Sequence, residues 1–94
     1  MDINTLSKIK LNFVAREVGD ELVVVPLSGN VAQMNELFTL NETGKFIWEN
    51  VVEGRSVDEL AVLMTECFEI DKATAERDLD AFLVKMDLLE KYNR

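Results

Sequence analysis

The chain has no histidine, one cysteine (Cys67), one proline (Pro26) and four glycines in 94 residues. Without histidine it lacks the side chain that most often ligates metals and acts as a general base near neutral pH. A lone cysteine excludes an internal disulfide and fits a reducing compartment. Gly44 and Gly54 stand apart from other glycines, so there is no glycine-rich phosphate loop. No apolar run approaches the roughly 18 residues of a membrane span, and the opening MDINTLSKIK lacks the apolar centre of a signal peptide. The expected location is the cytoplasm. Cations are also scarce: ten Lys and Arg face eighteen Asp and Glu, a formal charge of -8. That field repels nucleic-acid phosphates and anionic membrane surfaces, so neither is an expected partner, and a basic or neutral one is favoured.

Hydrophobic residues make up 48% and charged residues 30% of the sequence, the profile of an ordered domain. Its length supports one domain over residues 1–94 with one modest core. Catalysis by the chain alone is not expected, because no nucleophile and base can be paired and the carboxylates are spread over helix faces. No cofactor or metal is expected either. Cys67, beside Phe68 and with no histidine to activate it, reads as a small core residue.

Apolar residues at Ile9, Leu11, Phe13 and Ala15 have the alternation of a strand with one buried face. A turn at Val18-Gly19-Asp20-Glu21 leads to a second strand, Leu22 to Leu27, ended or bulged by Pro26. Ser28-Gly29-Asn30 turns the chain, Val31 to Asn35 is either a helical turn or irregular, and Glu36 to Leu40 forms a third strand. From Asn41 the period becomes helical. Asn41 is the N-cap of a first helix carrying Phe46, Ile47, Trp48, Val51 and Val52, with Gly54 as its left-handed cap. Ser56 and Glu59 form a capping box for a second helix with Val57, Leu60, Ala61, Met64 and Phe68 inward. Asp71 caps a third, with an apolar stripe of Ala75, Leu79, Phe82, Leu83, Met86 and Leu89.

Strands followed by helices predict an α+β fold, a three-stranded antiparallel sheet followed by three helices. The helical half also has the outline of a helix-turn-helix, which raises a DNA-binding regulator as an alternative. Its third helix, however, would offer Glu76, Asp78, Asp80, Asp87 and Glu90 against Arg77, Lys85 and Lys91, the wrong balance for duplex affinity. Trp48 reads as a core residue between the first helix and the sheet. If strand order follows the chain, the third strand is an edge with a free row of N–H and C=O groups. A peptide could complete it, or a second copy could pair there in a structural dimerisation module.

The strings Leu40-Asn41-Glu42-Thr43-Gly44, Ile47-Trp48 and Gly54-Arg55-Ser56-Val57-Asp58-Glu59-Leu60, with Phe13 to Glu17, Asp78, Phe82 and Leu88-Leu89, resemble the PqqD-like family. That family includes the pyrroloquinoline quinone synthesis protein D and precursor-peptide recognition elements. The resemblance implies a winged-helix-like domain that is no enzyme. Such a domain acts as a peptide chaperone: it binds the leader of a ribosomally made precursor peptide and presents it to a modifying enzyme, often of the radical S-adenosylmethionine type. Carried onto this chain, the leader adds beside Glu36, Leu37, Phe38, Thr39 and Leu40 and faces Ala75, Asp78, Leu79, Phe82, Leu83 and Met86. On that placement, Leu79→Lys is expected to weaken leader binding more than any surface charge change, as read by titration.

Overall fold

The computed structural model describes residues 1–27 and 38–92. Its elements are α1 (Ile3–Ile9), a 3-10 turn (Lys10–Asn12), β1 (Phe13–Val18), β2 (Glu21–Pro26), β3 (Phe38–Leu40), α2 (Glu42–Asn50), α3 (Val57–Cys67), α4 (Lys72–Lys85) and a closing 3-10 segment (Met86–Tyr92). The fold is α+β, with a three-stranded antiparallel sheet in the order β1-β2-β3. Among the described residues there are four α-helices where the sequence reading has three. No helix among the described residues is long and apolar enough to cross a membrane.

The additional helix is α1, and it corrects the reading of a strand from Ile9 to Ala15. Ile3, Leu6 and Ile9 recur at helical spacing and all three are buried. Asp2 caps the helix, its carboxylate accepting the Thr5 N–H at 2.6 Å. The alternation at Ile9, Leu11 and Phe13 is a coincidence of two elements meeting: Leu11 lies in the 3-10 turn and is 77% exposed. The strand begins at Phe13, the one buried residue of β1.

Gly19, at φ 62°, makes the tight β1–β2 turn that other residues adopt only with strain. In the sheet Leu22 faces Leu40 and Val24 faces Phe38, so these four side chains share the inner face, while Val23 and Thr39 point outward. Pro26 ends β2 as read, and the next N–H, that of Leu27, donates to the Asn12 carbonyl at 2.8 Å. The readings on residues 28–37, including the first two positions of the expected third strand, lie outside the described residues.

The predicted helix starts are all present. Asn41 accepts the Gly44 N–H at 2.9 Å, Ser56 and Glu59 form a reciprocal capping box, and Asp71 accepts the Thr74 N–H at 2.7 Å. The ends differ. α2 stops at Asn50 with Val51 extended, so Gly54 (φ 88°) serves the link to α3 and is not its cap. The last carbonyls of α2 meet cations instead. Lys10 Nζ donates to the Trp48 and Val51 carbonyls at 2.5 and 3.0 Å, and Arg55 donates to that of Asn50 at 2.7 Å. Desolvation pulls the Lys10 pKa below its ordinary value, opposed by the charge of Glu49.

Two inward assignments are corrected. Val57 occupies the first turn of α3 and is exposed, and Val52, expected on the first helix, lies in the link beyond α2. Cys67 is exposed as the last residue of α3; the chain then straightens, and Phe68 turns inward edge-on to Phe46 at 5.3 Å.

Asp71 generates a test by pH. Hydrogen bonds from the Thr74 side chain and then its backbone hold this carboxyl below its ordinary 3.8. A depressed folded-state pKa gives stability that is complete above 3.8 and is lost as pH falls through the folded value. Asp71→Asn keeps a capping oxygen but has no charge to lose. Urea midpoints followed down through the carboxylate range are therefore expected to fall less steeply for the variant than for the parent.

Candidate functional site

A single residue, Asn41, separates β3 from α2, so the first turn of the helix folds back against the end of the strand. Gly44 makes this possible. A Cβ there would lie 3.2 Å from Leu40 Cβ and 3.4 Å from the Asn41 side-chain oxygen, tighter than ordinary packing. One turn further, Trp48 meets Phe13 and Phe38 edge-on at 6.0 Å each, and those two rings meet each other at 6.1 Å. The Lys10 ammonium lies 5.8 Å from the Trp48 ring. Strand β3 is thus held from beneath by Phe38 and Leu40.

On one side β3 pairs with β2; on the other, no strand among the described residues pairs with it. Beyond that open edge lies α4, and between them runs a groove of about 460 Å³. Leu40, Gly44, Ile47 and Phe82 form its apolar floor. Thr39 lines it from the strand, and Asp78, Ala81 and Lys85 from the helix, while Glu21, Asn41 and Thr43 complete its polar rim. Asp78, Ala81, Phe82 and Lys85 follow the spacing of one helix face. The groove offers a row of backbone groups, an apolar floor and a few charges, which equips it to hold an extended chain.

Of the residues singled out from sequence, Thr39, Leu40, Asp78 and Phe82 come together along the groove. Phe38 is half-buried against Phe13 and Trp48. Ala75, Leu79, Leu83 and Met86 lie in the core and do not line the groove. Glu36 and Leu37 lie outside the described residues. Sequence reasoning passed over Ala81, Lys85, Thr43 and Glu21. The first two carry a readable signal, since they stand three and seven residues beyond Asp78. Glu21 carries none, because only the β2–β3 register brings it near Asn41.

No curated protein matches the chain. Among solved structures it is similar to TbiB1 in complex with the TbiA(beta) leader peptide, with a TM-score of 0.66 and 28% sequence identity over 84% of this chain and 86% of that one. The sequence model of the family described as coenzyme PQQ synthesis protein D (PqqD) matches residues 21–88. That span runs from the first residue of β2 into the closing 3-10 segment and contains every residue that lines the groove. With most of its length and the whole groove inside the match, the chain belongs to the PqqD family.

Proposed function

We propose that the groove binds the leader segment of a ribosomally made precursor peptide as an added strand on β3. The chain, itself no catalyst, then presents that peptide in the cytoplasm to a modifying enzyme of the radical S-adenosylmethionine type. One observation carries the reading: a strand edge that no described strand pairs shares a groove with a helix, in a chain similar to a protein whose structure contains a leader peptide. Family membership alone does not select the product, so the proposal extends to leader recognition and not to pyrroloquinoline quinone synthesis.

Magnitudes locate the affinity. Each backbone hydrogen bond contributes about 0.5–1.5 kcal/mol net, whereas fixing each peptide residue costs about 1–2 kcal/mol. Residue for residue, the ladder roughly breaks even. The net affinity must come from peptide side chains seated on the floor of Leu40, Ile47 and Phe82, at about 1.5–3 kcal/mol for each large apolar group buried.

Isothermal titration against leader segments of short precursor peptides encoded beside the gene tests this. Ala81 is exposed on the groove wall, so Ala81→Trp is expected to fill the groove and weaken binding about tenfold or more while the thermal midpoint holds. Equal affinity for variant and parent would overturn the placement. Leu79, fully buried, behaves differently: Leu79→Ala is expected to cost about 2–5 kcal/mol of stability. By the same burial, Leu79→Lys should abolish the cooperative urea transition. Loss of leader binding in that variant would therefore report unfolding and not a groove contact.

A further inference from the structure

The groove reading above leaves the chemistry of the occupant open, and the charges on the rim narrow it. Asp78 is half-buried, and its carboxylate has no cation or hydrogen-bond donor among the described residues. Glu21 and Lys85, which share the groove, have no side-chain partner there either. Elsewhere Glu17 pairs with Lys45 at 3.2 Å and Lys72 with Asp58 at 2.5 Å. The groove thus brings two acids and a base together without such a pairing among the described residues. A cationic side chain of a guest would meet no competing ion pair at Asp78 among the described residues.

Their order adds a second constraint. Along α4 the groove wall runs acid, apolar, base: Asp78, then Ala81 and Phe82, then Lys85. Seven residues of helix rise about 10.5 Å. A strand presents side chains to one wall at every second residue, about 6.6–6.8 Å apart, so three successive wall-facing positions span about 13 Å. Flexible charged side chains at the outer two positions take up the difference.

We infer that the occupant is a peptide whose wall-facing residues alternate as cation, large apolar, anion, with the cation on Asp78, the apolar side chain against Ala81 and Phe82, and the anion on Lys85. This rests on the groove reading and specifies its guest. The net charge of -8 adds long-range attraction for the cationic end.

The test selects a displayed library of short random peptides against the full chain and, in parallel, against the double charge reversal Asp78→Lys with Lys85→Glu. Peptides recovered on the parent are expected to carry Lys or Arg two positions from a large apolar residue and Asp or Glu two positions beyond it. The reversed variant should select the opposite signs. Replacing the cation by Glu in one selected peptide is expected to weaken binding to the parent about fivefold or more. If the double variant does not fold, Asp78→Asn serves in its place, and it should bind the two peptides about equally. Backbone amide shifts of Phe38, Thr39 and Leu40 separate the two claims. Selected peptides that leave those amides unmoved overturn the groove reading itself. Peptides that shift them without a charge preference, or with one that survives charge reversal, overturn this inference and leave the groove intact.

Discussion

The approach of Leu40 to Gly44 governs the geometry of the rest. A Cβ at position 44 would lie 3.2 Å from Leu40 Cβ, so the first turn of α2 and the end of β3 would have to part by a few tenths of an ångström. With glycine there, α2 leaves the strand after one capping residue and carries Trp48 under the sheet, where it meets Phe13 of β1 and Phe38 of β3. Those ring contacts tie the central helix to both outer strands. Lys10 extends the same linkage to the N-terminal segment by capping the far end of α2. Packing from beneath holds β3 in place, and no strand among the described residues takes up its outer row of backbone groups.

Much of this was legible before any coordinates, because the signals are local. Asn41, Ser56 and Asp71 each sit before a helical period and each accepts a backbone N–H in the structure. The β1–β2 turn at Gly19 and the stop at Pro26 are likewise local chemistry. The N-terminal helix was misread because two valid periods overlap at Ile9. The alternation through Leu11 and Phe13 hid the Ile3, Leu6, Ile9 spacing, and tertiary burial of those three side chains decided the matter. The site was only half legible, for a related reason. The apolar stripe of α4 reads as a groove wall and as a core face alike, and sequence spacing cannot divide them. Packing does: Ala75, Leu79, Leu83 and Met86 go inward, and the face through Asp78, Ala81 and Lys85 turns to the strand.

The same division bears on the DNA-binding alternative. The helix placed where a recognition helix would lie presents exposed Glu76 and Asp80, with Lys72 already engaged by Asp58 and near Glu76. Affinity for duplex grows with the number of phosphates neutralised, and this surface adds repulsion instead. Its acidity suits a cationic guest.

An open edge is ordinarily a hazard, since any extended chain can pair with it, including a second copy. Here the surroundings of the edge are charged, with Glu21 and Asp78 both lining the groove and a net -8 on each copy. Self-pairing brings like charges together, whereas a short guest with a suitably placed cation escapes that cost. Main-chain pairing carries no sequence information, and residue for residue it roughly breaks even against the entropy of ordering a guest, so side chains are left to decide. On the proposed reading, selectivity follows from the weakness of the ladder: a guest would stay when its apolar and charged groups meet the floor and the α4 wall in the right order.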